Sequence, residues 1–311
     1  MAYDLIHADC IEWLEQRKPH SIHAVVTDPP YALKEYEEGE LKKLRNGNRG
    51  GVWRIPPKFD GHERSPLPRF TVLTDRELAD LRDFFARWAK VVERVLVPGG
   101  HVFIASSPIM SHHLYASILS SGLEKRGELV RLVRTLRGGD RPKLSEREFP
   151  DVSVLPRSCW EPWGLFRKPF AGRASENLRR WKTGALRRPQ RDVPFCDVIP
   201  SGRTPARERA IAPHPSLKPQ EFLRQIVWAA LPLGEGVVLD PFAGSGSTLA
   251  AAEAVGYDSI GVESDKHYVE LARKAIPRLA KLGAGGLAVV PGEGLPPPLE
   301  LNLQFAVRTS R

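Results

Sequence analysis

A strand, a glycine-rich turn and a helix follow one another late in the chain. Val237 to Leu239 is a short apolar run that predicts a buried strand, and Asp240 to Thr248 leads from it into an alanine-rich stretch. Gly244 and Gly246 allow backbone conformations with positive φ and a close approach to a ligand. This order predicts an α/β fold whose sheet presents a binding turn where its parallel strands end.

The next predicted strand ends in an acidic residue at a spacing typical of nucleoside sites. Ser259 to Val262 is strand-like, and Glu263 follows 19 residues after Gly244. In βαβ nucleotide sites, an acidic side chain at about 20 residues holds the ribose hydroxyls. A phosphate-binding loop requires a lysine directly after its glycines, and none follows them here. The second half of a dinucleotide-binding pattern is also missing. The pattern therefore favours a nucleoside ligand that carries no triphosphate.

A rigid turn follows an earlier predicted strand. Asp28-Pro29-Pro30-Tyr31 comes directly after the apolar stretch that begins at Ile22. Two prolines cannot continue a hydrogen-bonded strand, so the chain leaves the sheet in a stiff, extended turn. The turn presents a carboxylate and carbonyls that accept hydrogen bonds from an amino group, and a ring that stacks on a planar base. An ordinary proline-rich turn is the alternative. If the strands before Asp28 and Asp240 are neighbours, both turns open onto one crevice.

With these motifs in this order, the chain resembles the permuted β-type amino-directed DNA methyltransferases, which modify adenine N6 or cytosine N4. The resemblance covers roughly residues 3–280. His214 to Pro219 is similar to the segment before the family's cofactor loop, and Leu5 to Cys10 to the strand whose Asp meets the cofactor adenine. The resemblance implies a doubly wound, mostly parallel Rossmann-like sheet and S-adenosylmethionine as cofactor. The cofactor-binding residues that it implies are Asp9, Cys10, Asp28, Lys218, Asp240, Pro241, Phe242, Ala243, Gly244, Ser245, Gly246, Glu263 and Ser264.

The same resemblance implies that Asp28, Pro29, Pro30 and Tyr31 are catalytic. Asp28 and the carbonyl of Pro29 would accept the two N–H groups of an exocyclic amine, and Tyr31 would stack on a base flipped out of the duplex. Family members with Asp at the first position are more often adenine N6 enzymes, whereas cytosine N4 enzymes more often carry Ser. Adenine N6 is therefore favoured, and cytosine N4 is the alternative. Methylation of RNA or of a protein glutamine, and a non-catalytic DNA-binding module, stay open.

The positive charge of the chain is concentrated in one segment. The net charge is +9, and Phe166 to Ala210 holds twelve Lys or Arg against four Asp or Glu. Because arginine binds phosphates and reads guanine edges, we expect a target-recognition insert over 166–212, with a solvated loop as the alternative. A second insert, 34–70, follows the catalytic turn and is expected to be a mobile loop that closes over DNA, with a simple disordered loop as the alternative. The arginines expected to contact DNA are Arg179, Arg180, Arg187, Arg188 and Arg191.

These segments divide the chain into four parts. Residues 1–165 are predicted to be the catalytic half, 166–212 the recognition insert, 213–282 the cofactor-binding half and 283–311 a tail. Strands are expected near 3–7, 22–27, 101–106, 129–135, 160–166, 236–240 and 259–263. Helices are expected near 75–97, 109–121, 219–231, 246–256 and 265–282.

Composition argues against other classes of protein. No apolar run reaches membrane-spanning length, and three scattered cysteines are too few for a disulfide framework or a zinc site. No metal site is predicted. The expected partner is double-stranded DNA and the expected location is the cytoplasm. The sequence leaves open whether the protein forms a homodimer and whether a cognate restriction endonuclease accompanies it.

Overall fold

The computed structural model describes residues 3–30, 58–59, 62–63, 73–133, 141–142, 144–156, 158–214 and 216–283. Tyr31, most of the 34–70 segment and all but the first residue of the 283–311 tail lie outside the described residues. The predictions made for them stay predictions.

The described chain alternates strands and helices. The strands are β1 (Tyr3–His7), β2 (Ile22–Thr27), β3 (Lys58–Phe59), β4 (His62–Glu63), β5 (Leu96–Ala105), β6 (Glu124–Leu132), β7 (Trp160–Arg167), β8 (Val198–Pro200), β9 (Val237–Asp240) and β10 (Asp258–Glu263). The helices are α1 (Cys10–Glu15), α2 (Asp75–Val95), α3 (Ser111–Leu119), α4 (Ala174–Trp181), α5 (Ala206–Ile211), α6 (Gln220–Ala230), α7 (Ser247–Val255) and α8 (Lys266–Lys281).

Eight strands form one sheet in the order β1-β10-β9-β2-β5-β7-β6-β8. β7 pairs antiparallel with β5 and β6, and the other pairs are parallel. The predicted mostly parallel α/β sheet is confirmed. We call the edge where the parallel strands end the carboxyl edge and the opposite one the amino edge. From the central pair β2 and β9 the chain winds outward in both directions, which makes the carboxyl edge between them a topological switch point.

Helices cover both faces of the sheet. One face packs on α1, α2 and α3 through a cluster that includes Trp88, Phe85 and Ile118. The other face packs on α6 and α7, with Phe222 and Ala251 in its cluster. Each fully buried large apolar side chain contributes about 1.5–3 kcal/mol relative to exposure. The two layers therefore hold β2 and β9 rigidly, and with them the turns that follow.

The arginine-rich segment, predicted as an insert over 166–212, contains regular elements of this architecture. It contains α4 and the edge strand β8, which pairs with β6. Buried Asn177 donates to the Pro98 carbonyl at 2.9 Å, and Thr183 donates to the same carbonyl at 2.7 Å. Gly99 has a φ of +82°, and a Cβ there would lie 2.9 Å from the Gly184 Cα. The segment is thus packed against the start of β5.

Element boundaries differ from the predictions in a few places. The chain enters β5 at Leu96 instead of near 101, because Pro98 and two glycines belong to the strand. β6 begins at Glu124, five residues before its expected start. The short helices α1, α4 and α5 were not predicted. Among the described residues, no helix is both long and apolar enough to cross a membrane.

Candidate active site

The two predicted turns lie side by side at the carboxyl edge. β2 pairs with β9 in parallel, with Val25 opposite Leu239, so Asp28 and Asp240 follow neighbouring strands. The Thr27 hydroxyl donates to the Asp240 carboxylate at 2.7 Å and ties the two strand ends together. The two strands are thus neighbours, which was the condition for both turns to open onto one crevice.

Asp28 belongs to a network of four charged side chains. Its Oδ2 lies 2.6 Å from the Lys218 Nζ, which also lies 3.5 Å from the Glu161 Oε2. Arg131 reaches the same Glu161 oxygen at 3.2 Å. The Asp28 side chain is 16% exposed and that of Lys218 10%. The Asp28 Oδ1 is buried and has no hydrogen-bond partner among the described residues. The Oδ2 atom is therefore paired with Lys218, whereas Oδ1 can accept a hydrogen bond from a ligand.

Burial and neighbouring charges have opposing effects on the pKa values in this network. Burial raises the pKa of the Asp28 carboxyl above its usual value, against the opposing effect of Lys218. Burial disfavours the charge of Lys218, but Asp28 and Glu161 outweigh it and raise the pKa of the ammonium. Burial also opposes ionisation of Glu161, yet Lys218 and Arg131 lower the pKa of that carboxyl. Lys218 is therefore the cation that opposes the effect of burial and favours the ionised form of Asp28.

The glycine-rich turn is bound to Glu263. The Gly244 N–H donates to the Glu263 Oε2 at 2.8 Å, and the Asp265 N–H donates to its Oε1 at 2.8 Å. Each carboxylate oxygen keeps capacity to accept a further hydrogen bond. Gly246 has a φ of +80°, and a Cβ there would lie 2.5 Å from a side-chain carbon of Ile276. The turn thus needs its glycine, and Glu263 faces the same crevice.

Asp240 is a buried acid beneath the turn. It accepts from the Phe242 N–H at 3.1 Å as well as from Thr27, and it is 3% exposed. Burial raises the pKa of this carboxyl to about 6, with the hydrogen bonds from Thr27, Thr248 and Phe242 acting against burial. Because hydrogen bonds hold it in place, Asp240 fixes the backbone from which the turn departs.

Other predicted cofactor residues lie around this turn. Asp9 caps α1 through hydrogen bonds from the Ile11 and Glu12 N–H groups, and the Ala8 N–H donates to the Glu263 carbonyl at 3.1 Å. Asp9 and Glu263 therefore lie at neighbouring strand ends. Cys10 is in the same turn, but its thiol packs in the core and burial raises its pKa to about 12. Only the backbone of Cys10 can face a ligand.

The remaining predicted cofactor residues lie in or beside the glycine-rich turn. The ring of Phe242 packs on Phe84 and Trp88, with centroids 6.2 and 6.0 Å apart. Ala243 and Ser245 are buried in the turn. The Ser264 carbonyl lies 3.0 Å from a ring nitrogen of His7. Pro241 directly follows Asp240.

Two groups of predicted residues lie on opposite edges of the sheet. Lys218, predicted to bind the cofactor, pairs through its ammonium with Asp28 at the carboxyl edge. The arginines predicted to contact DNA belong to a segment at the amino edge, away from Asp28. There the Trp181 ring contacts the His20 ring at 5.3 Å, and Arg187 bonds to the Tyr257 hydroxyl before β10 at 2.8 Å. Phosphate contacts and base readout by these arginines stay predictions.

Sequence reasoning missed three side chains of the site: Glu161, Arg131 and Thr27. Glu161 lies between tryptophans in β7, and Arg131 lies between apolar residues in β6. A charged residue inside an apolar strand is rarely buried without a partner, and this signal was available. The described residues contain no group of three or more His, Cys, Asp or Glu side chains placed to hold a metal ion.

Comparison with known proteins gives one family and a common fold. A family model described as DNA methylase matches residues 163–274. A type II methyltransferase of Lactococcus lactis subsp. cremoris, M2.LlaDCHI, is 27% identical over 281 residues, which cover 90% of this chain and 91% of that protein.

Two solved structures share the fold. The complex of M1.HpyAVI with SAM is 18% identical with a TM-score of 0.54, over 88% of this chain and 99% of that one. The PvuII DNA methyltransferase, described as cytosine-N4-specific, is 15% identical with a TM-score of 0.56 over 90% of this chain and 92% of that one.

Proposed function

We propose that the chain, an S-adenosylmethionine-dependent DNA amino-methyltransferase similar to the DNA methylase family, methylates the N6 amine of a flipped adenine. One observation carries the assignment of the acceptor site. A buried carboxylate oxygen of Asp28, without a partner among the described residues, lies at the end of a strand whose neighbour ends in the glycine-rich turn.

The residues around the glycine-rich turn fit a nucleoside cofactor with a methionine group. Glu263 would accept from the ribose hydroxyls, since both of its oxygens keep acceptor capacity while backbone N–H groups hold them in place. Asp9 would meet the adenine amine of the cofactor. The positive φ of Gly244 and Gly246 opens the turn toward the ligand. The cofactor supplies an activated methyl group when bound.

The residues on the other side of the crevice would hold the acceptor. Asp28 Oδ1 and the carbonyl of Pro29 would accept the two N–H groups of the target amine, which favours a tetrahedral nitrogen and stabilises its developing positive charge. Pro29 and Pro30 hold these acceptors in a fixed geometry. Tyr31 is proposed to stack on the base. The preference for adenine over cytosine rests on Asp at the first catalytic position, where cytosine N4 enzymes more often carry Ser.

Identification of the methylated nucleoside tests this proposal. Purified protein is incubated with labelled S-adenosylmethionine and mixed-sequence duplex DNA, which is then digested to nucleosides and analysed by mass spectrometry. We expect N6-methyldeoxyadenosine in DNA, with no label in RNA or in protein glutamine, and loss of the product in Asp28→Ala. N4-methyldeoxycytidine would replace the adenine proposal with the cytosine one, and a label only in RNA or protein would overturn both.

The name of the Lactococcus relative supports a place in restriction–modification. We propose that the enzyme acts on DNA in the cytoplasm and protects its sites from a cognate restriction endonuclease. Sequencing of DNA from expressing cells, read for modified bases, gives the methylated motif, and a nuclease that cuts this motif should leave that DNA intact. Sedimentation with and without DNA decides between the monomer and the homodimer that the sequence leaves open.

A further inference from the structure

We propose that Glu161 and Arg131 are positioning residues for methyl transfer, which hold Lys218 on one oxygen of Asp28 and so keep the other oxygen open to the target amine. The inference rests on the proposed function of Asp28 and extends it to two side chains on neighbouring strands. Among the described residues, the salt bridges of Glu161 are with Lys218 and Arg131.

Glu161 lies between two cations. Its Oε2 is 3.5 Å from the Lys218 Nζ and 3.2 Å from the Arg131 Nη1. Its Oε1 accepts from the indole N–H of Trp163 at 2.8 Å. Both oxygens are therefore engaged, and the side chain of Glu161 is fixed in one orientation. Lys218 is pulled toward Glu161 on one side and toward Asp28 on the other.

Arg131 closes the chain of contacts and anchors it to the edge of the sheet. It sits opposite Glu161 in the antiparallel register of β6 and β7. Its guanidinium also donates to the Ser201 hydroxyl at 3.0 Å and to the Gly202 carbonyl at 2.9 Å. The side chain is 7% exposed. A planar fork with three fixed partners cannot follow a moving carboxylate, so it holds Glu161 still.

The charge balance of the network explains why Glu161 is needed. Two acids and two bases leave the buried group neutral overall. Without the negative charge of Glu161, the Lys218 ammonium would be attracted by Asp28 alone and could bridge both of its oxygens. That movement would occupy Oδ1, the acceptor kept for the substrate. Buried ion pairs contribute little net stability because desolvation offsets their attraction, so stability alone does not account for this arrangement.

The test compares Glu161→Gln, Glu161→Asp and Glu124→Gln. Gln keeps the size of the side chain and an oxygen for Trp163 but removes the charge, whereas Asp restores the charge. Glu124→Gln is the matched control, because Glu124 pairs with Arg167 at 2.7 Å on the same two strands but at the amino edge. We expect Glu161→Gln to lower kcat by about 10- to 100-fold, as expected for a misplaced reacting group. The KM for DNA and the affinity for S-adenosylmethionine should not change, and Glu161→Asp should recover part of kcat.

The pH dependence of the reaction separates positioning from a merely structural role. The charged groups that face Asp28 are Lys218, Glu161, Arg131 and Asp240. Since Glu161 raises the pKa of Asp28, its neutralisation should move the acid limb of the kcat profile to lower pH. Replacement of Lys218 by Met removes the opposing charge and should move the limb to higher pH. Opposite shifts from two neighbours are not expected of variants that only loosen the fold.

A second readout does not need the enzyme to be active. The carboxyl resonance of Asp28 is followed by ¹³C NMR during a pH titration of the full chain and assigned by its loss in Asp28→Asn. We expect its midpoint to fall in Glu161→Gln and to stay in Glu124→Gln. An unchanged midpoint together with unchanged kcat in Glu161→Gln would overturn the inference. If the wild-type protein methylates no DNA, the proposed function fails, and the titration still decides whether Glu161 acts on Asp28.

Discussion

The two edges of the sheet carry charge in opposite ways. At the carboxyl edge, Asp28, Lys218, Glu161 and Arg131 form a buried group with equal numbers of acids and bases. At the amino edge, the segment from 179 to 191 carries arginines that are mostly exposed. Charged residues that are consecutive or close in the sequence are thus exposed, whereas four charged residues from separate parts of the chain are buried next to the candidate catalytic turn.

The difference shows what charge in a sequence predicts. A run of arginines indicates exposure, because so many like charges cannot be buried together. A single acid or base in an apolar strand indicates a partner, because burial without one is too costly. The run of arginines is the more conspicuous pattern in the sequence. The candidate site, however, contains single charged residues from apolar strands. The predictions below test this contrast, starting with the largest expected effect.

Removal of the carboxylate at the turn should have the largest effect. We expect Asp28→Ala to lower the single-turnover rate of methyl transfer by at least about 100- to 1,000-fold, since it removes a fixed acceptor for developing charge. Calorimetry should show S-adenosylmethionine affinity largely intact. Glu235→Gln, which breaks a 3.9 Å ion pair with Lys182 at the amino edge, is the control and should keep the wild-type rate. Retention of most of the rate in Asp28→Ala would refute the role of the turn.

Asp240 tests how strongly burial at the carboxyl edge disfavours the ionised form of a carboxyl group. Its native pKa of about 6 is raised from the usual 3.8, so the native state binds more protons than the unfolded state between these values. Stability contributed by the protonated form is present below about pH 4 and is lost as pH rises through 6. The loss is on the order of 3 kcal/mol. Asp240→Asn has no such loss, so its advantage over wild type should grow from pH 4 to pH 7.

Urea unfolding of both proteins across this pH range measures the effect. Only the difference between the two proteins is compared, because every other titrating group is common to them. An advantage that stays constant with pH would show that Asp240 titrates normally and that the dry character assigned to this edge is wrong.

Glu263 tests the cofactor side of the same edge. Glu263→Ala should weaken S-adenosylmethionine binding by about 1–3 kcal/mol, the cost of leaving polar groups unpaired. Glu263→Gln keeps one acceptor oxygen and should lose less. Isothermal calorimetry distinguishes the three proteins, and equal affinities would remove Glu263 from the cofactor site. The Gly244 N–H loses its acceptor in the Ala variant, so thermal unfolding is recorded alongside.

The cofactor side was predictable from the sequence because its signals are local. Gly244, Gly246 and Glu263 belong to one strand–turn–helix–strand unit, and their spacing alone places them together. The acceptor side depends on contacts across the sheet: Lys218 and Asp28 are 190 residues apart, and nothing in either motif indicates that they pair. Arg131 and Glu161 meet only because β6 and β7 are adjacent.

The packing of the arginine segment was not predictable for a related reason. Its helix α4 is short and highly charged, and it is held by the contacts of Asn177 and Thr183 with Pro98. Composition does not reveal such contacts. The sequence therefore left a solvated loop open as the alternative, where the chain forms a packed helix and an edge strand.

The smallest effects should come from Arg187 and Arg188, which lie next to each other at the amino edge. The Arg187 guanidinium lies 3.6 Å from the centroid of the Trp228 ring and donates to the Tyr257 hydroxyl at 2.8 Å, whereas Arg188 is exposed and donates only to the Arg191 carbonyl among the described residues. Arg187→Ala should therefore lower the free energy of unfolding by about 1–2 kcal/mol. Arg188→Ala should change it by less than about 0.5 kcal/mol.

Salt-dependent DNA binding then decides whether the amino edge takes part in recognition. If DNA contacts only the carboxyl edge, both variants should keep the wild-type slope of log affinity against log salt. If the predicted phosphate contacts exist, each lost contact should reduce the slope by about one. A reduced slope in Arg188→Ala with unchanged stability would show that DNA reaches around the sheet. A relaxed preference for the target sequence in the same variant would show that the arginine segment reads bases. The carboxyl edge would then carry out methyl transfer, and the amino edge would recognise the DNA sequence.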